Sequence, residues 1–243
     1  EQVALVPHWG NWFFYGWLWA AGGDLLDSSN SKAIWNNEAG VRALEFMQER
    51  LNHYGGNAAL TAFNGKYGGF RGGALAMIME GSWASSGWQA TDSLHFDLGV
   101  AYPPRPSGLE NTPVTWSGGF ALSIPAGVSG EKQEAAWEFI KFYTSEWAQR
   151  KLGVESGQIP ALRAAAVSRA FLARDRFMGV FIELMQHSRF RPVVPSGGEL
   201  QAIFQTEVHN HLLRGDMPAR DILNETARIA QILLDEGWQR ALQ

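Results

Sequence analysis

The residues here that could do chemistry are carboxylates set among aromatic rings. Asp24, Asp27, Glu80 and Glu199 stand in a chain of 243 residues that carries 11 Trp, 14 Phe and 5 Tyr. Glycoside hydrolysis would need two carboxyls roughly 5–10 Å apart beside such rings. Glu80 with Asp24 or Glu199 is the pairing that reading would use. A metal site has weaker support: His209 and His211 are two residues apart, which on a helix turns them about 200° from each other, and no His-Glu-x-x-His spacing occurs. Ser82 and Ser117 lack the flanking glycines of a nucleophile elbow. The absence of cysteine excludes disulfides and thiolate ligands. The other chemistry open to these residues is binding, because an indole offers a broad rigid apolar plane with a polar N–H at its edge.

The stretch that concentrates this binding chemistry is Thr115-Trp116-Ser117-Gly118-Gly119-Phe120-Ala121-Leu122-Ser123-Ile124-Pro125. Phe120, Leu122 and Ile124 alternate with small or polar residues, which predicts a strand with one buried face, stopped by Pro125 and Gly127. Two adjacent glycines ahead of a strand raise the entropic cost of ordering it and are kept where the backbone bends or something approaches closely. A tight turn beside a core tryptophan explains the same residues equally well. Glu80 and Trp83 form a second candidate pair. Ala74–Met79 is a short apolar run that predicts a strand buried on both faces, and Ser82 is placed to cap a helix just after it. The end of a buried strand at a helix start is where open α/β sheets place ligands. For Glu80 the competing reading is a solvated or helix-capping carboxylate.

The remaining elements follow from periodicity. Residues 9–19 carry Trp9, Trp12, Phe13, Phe14, Tyr15, Trp17 and Trp19, and Gly22-Gly23 end that helix. Aromatics around its whole circumference predict either a thoroughly buried helix or one with a face along a cleft. Asn36 or Asn37 caps a helix running to about His53, with Val41, Leu44, Met47, Leu51 and Tyr54 as its stripe. Residues 57–71 read as a loop and a short helix, and 95–102 as a second strand stopped by Pro103-Pro104. Beyond Pro125 the chain turns helical. Helices are predicted over 131–143, over 146–152 with Ser145 as cap and Gly153 as stop, then near 164–172, 175–187, 198–213 and 218–236.

Composition limits the function classes. A net charge of −4 with no basic block argues against a nucleic-acid surface. No apolar run reaches the 18 or so residues that a membrane span needs. With 46% hydrophobic residues the chain can bury a sizeable core.

At this point the order of pieces resembles a family. Trp17-Leu18-Trp19-Ala20-Ala21-Gly22-Gly23-Asp24-Leu25-Leu26, Phe70 through Gly81-Ser82-Trp83, the Thr115–Pro125 stretch, Ala136–Phe142 and Ser145–Gln149 are similar to the second half of extracellular solute-binding proteins that serve ABC importers. Within that family the resemblance is to the carbohydrate-binding group that includes maltodextrin-binding protein. The resemblance implies an α/β, periplasmic-binding-protein-like second lobe: a short sheet flanked by helices with a helical C-terminal layer. It places residues 1–125 and 156–243 in that lobe. It makes 126–155 helices that would pack on a first lobe absent from this sequence. It implies capture of a sugar or oligosaccharide in an inter-lobe cleft, with no catalysis and no cofactor. Trp83 would stack on the ligand, Ser117, Gly118 and Gly119 would meet its hydroxyls with Trp116 nearby, and Trp12 would contribute from the aromatic helix. The implied partners are a carbohydrate and the permease subunits of an importer, at an extracellular or periplasmic location anchored through an N-terminal segment, as in a lipoprotein.

One departure bears on the ligand. Where the family often places a cleft-facing tryptophan, this sequence reads Gly198-Glu199-Leu200-Gln201, which suits a smaller or more polar solute, such as a glycerol phosphate ester. A glycoside hydrolase and a purely structural interaction module are the competing classes, and the tryptophan excess is the main difficulty for the latter.

Overall fold

The structure is a computed structural model that describes residues 3–5, 11–53, 65–91, 94–109 and 114–243, with the side chains of residues 11, 12, 66, 90 and 91 outside that description. The chain divides into two compact units. The first comprises Glu1–Met79, Pro103–Trp116 and His187–Gln243; the second comprises Glu80–Tyr102 and Ser117–Gln186.

The first unit is built on helices. The aromatic segment forms α1 (Asn11–Ala20), ended at Gly22 with φ 84° and by backbone bonds from Gly22 and Gly23 to Trp19 and Leu18. Phe14, Tyr15, Trp17 and Trp19 are buried. Phe204, nearly two hundred residues later in sequence, explains how rings on several sides of one helix find cover. It stacks on Phe14 at 5.4 Å between centroids and meets Tyr15 at 5.0 Å and Trp35 at 4.6 Å. The helix α2 (Glu38–His53) buries Val41, Leu44, Met47 and Leu51, and Asn37 Oδ1 accepts the Gly40 N–H at 3.0 Å as a cap should. Tyr54 and residues 55–64 lie outside the described residues. A short α3 (Gly65–Arg71) leads into a parallel pair, β1 (Val3–Leu5) with β2 (Leu75–Met77), in the register Val3↔Leu75 and Leu5↔Met77. A second parallel pair joins β3 (Thr115–Trp116) to β4 (Ser188–Arg189).

The long C-terminal helix α12 (Ala219–Ala241) closes this unit with Ile222, Leu223, Thr226, Ala227, Ala230, Leu234 and Gly237 buried at helical spacing. Thr226 Oγ1 accepts the Trp35 indole N–H at 3.3 Å. Ahead of it, α10 (Gly197–Ile203) and α11 (His209–Arg214) are joined by a π-helical turn over Phe204–Val208. A π turn re-aims the side chains on its wide side, and Phe204 is one of them.

The second unit holds α4 (Ser82–Thr91), α5 (Glu131–Tyr143), α6 (Glu146–Ser156), α7 (Arg163–Ala166), α8 (Arg169–Leu172) and α9 (Met178–Met185). Ser145 caps α6 through the Ala148 N–H. Gly153 does not stop this helix: it is buried inside it, where a Cβ would meet Pro160 Cγ at 2.6 Å. The stop is Gly157, in the left-handed region at φ 73°.

Three strand expectations are corrected. The run 74–79 yields only β2, and its Met77 is 53% exposed; a two-stranded sheet leaves faces uncovered. Residues 95–102 are irregular and largely exposed, and residues 120–124 form no strand, with Phe120 95% exposed. Alternation encodes a strand only where a neighbour supplies the ladder, and among the described residues neither segment has one. Phe139, Phe142 and Tyr143 of α5 are exposed as well. No residue of α5 is buried.

Candidate functional site

The candidate residues fall into both units. In the first, Trp116 is held by the β3–β4 ladder opposite Arg189. Its ring lies flat against Gly16 of α1, where a Cβ would come within 2.3 Å of it. Phe13 meets the same ring edge-on at 6.2 Å. Only glycine at position 16 lets the indole lie against the helix backbone, so α1 supplies a platform for Trp116 as well as a core.

Beside it in the fold, Asp24 Oδ1 accepts the Trp19 indole N–H at 3.1 Å and the Leu25 N–H at 2.8 Å. Asp24 Oδ2 pairs with the Arg189 guanidinium, whose carbon sits 5.3 Å above the Trp19 ring. Asp24 is therefore tied on both oxygens to groups that fix the end of α1 and the β4 strand. This is a positioning role. Burial pushes the Tyr15 hydroxyl well above the usual range, opposed by the charge of Arg191. Glu199 is exposed in the first turn of α10 and reaches Arg240 only at 3.9 Å, a surface pairing of small energetic consequence. Trp12 lies in α1, and its side chain is outside the described residues.

In the second unit, Trp83 is the second residue of α4 and is 46% exposed. Its ring folds back over Gly81, where a Cβ would come within 2.2 Å of the ring carbons. The helix beneath is anchored from the other side. Ser86 Oγ donates to Asp175 Oδ2 at 3.3 Å, Gln89 donates to the same carboxylate, and Asp175 Oδ1 also accepts the Phe177 N–H at 2.8 Å. Gly157 comes close enough to Ser86 that a Cβ there would overlap its side chain. Trp83 thus presents a ring on a fixed base. Glu80 is half-buried, with Oε1 accepting the Gly81 N–H at 3.1 Å, so part of it serves as a local cap.

Ser117 Oγ approaches Met185 Sδ at 3.7 Å, and Gly118 and Gly119 are exposed. Gly119 is not in the left-handed region, and a Cβ there meets nothing within 4 Å. Neither backbone conformation nor a close approach by any described residue requires glycine at 119. The features sequence reasoning missed are Gly16, Gly81 and Arg189. The interval of two in Gly81-Ser82-Trp83 was the available signal for one of them; nothing local signals the other two.

Among the described residues no group of three or more His, Asp and Glu is placed to hold a metal ion, and no helix is long and apolar enough to cross a membrane.

Residues 4–175 match the family described as bacterial extracellular solute-binding protein. No curated protein matches the chain. Among solved structures, the maltose-bound MalE3 of T. maritima is 25% identical with a TM-score of 0.80, over 95% of this chain and 60% of that one. An ABC transporter solute-binding protein from Thermotoga lettingae bound with α-D-tagatose is 25% identical with a TM-score of 0.74, over 91% of this chain and 55% of that one. UgpB from Mycobacterium tuberculosis in complex with glycerophosphocholine is 23% identical with a TM-score of 0.75, over 97% of this chain and 59% of that one, a likeness of fold alone. The chain spans less than two thirds of the length of each of these structures.

Proposed function

The chain belongs to the bacterial extracellular solute-binding proteins, and from that premise we propose that it is the ligand-binding component of an ABC importer for a sugar or oligosaccharide. It binds without catalysis. Its partners are the carbohydrate and the importer's permease subunits, and it works on the extracellular or periplasmic side, anchored as a lipoprotein. The solute-contacting residues we infer are Trp12, Trp116 and Glu199 in the first unit and Glu80, Trp83, Ser117 and the Gly118 and Gly119 backbone in the second, the tryptophans by stacking and the others by hydrogen bonds. Residues 126–155 form the part that packs on the other lobe of the whole protein.

The observation that carries this reading is the seating of the two tryptophans on Gly81 and Gly16, which leaves each indole with one face against backbone and fixes its direction. A preorganised aromatic plane loses little entropy when a sugar's C–H face settles on it.

The test uses the intact protein carrying both lobes. Calorimetric titration with maltose gives a saturable isotherm. Gly81→Ala, whose methyl displaces the Trp83 ring, weakens it about 10-fold or more, the equivalent of about 1.4 kcal/mol. The melting midpoint stays within about 2 °C, because the ring swings toward solvent. Unchanged affinity in Gly81→Ala and in Trp83→Ala removes Trp83 from the site. Saturation by glycerophosphocholine with no response to maltose replaces the sugar by a phosphorylated polyol.

A further inference from the structure

A shallow, open groove of about 440 Å³ lies on the surface of the first unit, lined by Ser29, Ser31, Asp235, Trp238 and Gln239. None of these is a candidate for the site above. We propose that this groove is a second solute site that takes a neutral pyranose or polyol ring against Trp238.

Its walls are cross-linked by hydrogen bonds. Asp27 accepts from Ser29 Oγ at 2.7 Å, from the Ser31 N–H at 2.8 Å and from the Lys32 N–H at 3.0 Å, bonds that hold its carboxyl below the usual range. The loop they close places Asn30 at φ 56°, a conformation asparagine tolerates better than most residues. The Asn30 carbonyl accepts the Trp238 indole N–H at 3.0 Å, which fixes the ring and satisfies its only polar atom. Gln231 braces both sides. Its amide nitrogen donates to the Ser31 carbonyl and to Asp235 Oδ1, both at 2.9 Å, and its oxygen accepts the Ala33 N–H at 3.0 Å. An aromatic plane is thus set beside fixed polar groups before anything binds, which lowers the ordering cost of binding.

The chemistry of the lining selects the ligand class. The Ser29 hydroxyl donates to Asp27 and its oxygen lies 2.7 Å from Ser31 Oγ, so these two hydroxyls are bonded within the loop, and the Asp235 carboxylate only accepts. Gln239 adds amide N–H donors. Sugar hydroxyls both donate and accept and meet all of these, whereas a cation leaves the amide donors unmatched. The exposed Asp235 carboxylate disfavours an anion.

The experiment follows the indole N–H resonance of Trp238 in the ¹⁵N-labelled intact protein carrying both lobes, assigned through Trp238→Phe, during titration with maltose. A saturable shift with a millimolar Kd is expected, as suits one open groove with an affinity near −4 kcal/mol. Asp235→Ala weakens it about fivefold or more while the remaining indole resonances stay in place. The inference is overturned if the Trp238 resonance stays still up to about 100 mM maltose, a hundredfold above a Kd of about 1 mM, if Asp235→Ala leaves the Kd unchanged, or if tetramethylammonium chloride shifts the resonance and maltose does not. The resonances of Trp83 and Trp116 separate this result from the proposed function. Movement there with Trp238 still fails the groove alone, and the reverse fails the assignment of those two tryptophans alone.

Discussion

Gly40→Ala is expected to lower the stability of the first unit by about 3 kcal/mol or more, near the upper end of single-residue effects. A Cβ built at Gly40 stands 1.7 Å from the Trp35 carbonyl oxygen. The conflict is with backbone, so no side-chain rotation relieves it. The Trp35 backbone cannot yield either, because its indole is fully buried, packed against Phe204 and bonded to Thr226. Relief would require moving the start of α2, where Asn37 caps the helix by accepting the N–H of Gly40 itself. The loss corresponds to a fall of roughly 6–12 °C in the melting transition of that unit. Gly179→Ala is the control: position 179 lies in α9 with no described residue within 4 Å of its Cβ site, and alanine there is neutral or stabilises by about 0.5–1 kcal/mol. A Gly40→Ala protein that melts within about 1 °C of the wild type sinks this account of the Trp35 turn.

The same turn shows what was legible. Asn37 and the 3- and 4-residue spacing of Val41, Leu44, Met47 and Leu51 announce α2 from sequence, as Ser145 announces α6, because a cap and a stripe are local signals. Gly40 is silent, since its partner is a backbone oxygen whose position only the folded turn fixes. Gly153 misleads for a related reason. Its lack of a side chain makes room for Pro160 and Phe171 within α6, and a glycine needed for packing reads the same as one that ends a helix. The seven aromatics of residues 9–19 were ambiguous between core and cleft, and Phe204 decides for core at Phe14 and Tyr15.

The candidate site was legible as residue types at strand and helix ends, which is how Trp83 and Trp116 stand out. The glycine platforms beneath them were not, because a ring lying on backbone leaves no periodic trace. The alternations over 95–102 and 120–124 encode extended segments, and such a pattern specifies which face is apolar without specifying what lies beside it.

Phe139→Glu combined with Trp147→Glu is expected to act in opposite ways on this chain and on the whole protein. Phe139 and Trp147 are 56% and 62% exposed, and Phe142 and Tyr143 lie beside them, with ring centroids 5.8 Å apart for Phe142 and Trp147 and 6.0 Å for Phe139 and Tyr143. Helices draw most of their stability from packing an apolar face, and α5 buries none of its residues. Bare aromatics in such a cluster drive association. The 243-residue chain should therefore self-associate and bind a hydrophobic dye. The double substitution should abolish both and change its stability by less than about 0.5 kcal/mol, as an exposed position allows. In the whole protein, where we propose that the other lobe covers this face, the same two charges would be buried without partners, at a cost of several kcal/mol, and solute binding would fall with the lost lobe packing. Light scattering and dye fluorescence on the chain, with melting and titration on the whole protein, read the four outcomes. If the substitutions destabilise the chain by itself, the face is internal to it and the proposed packing of residues 126–155 on another lobe fails. If they leave the whole protein's stability untouched, the face stays in solvent there and another surface must hold the lobes together.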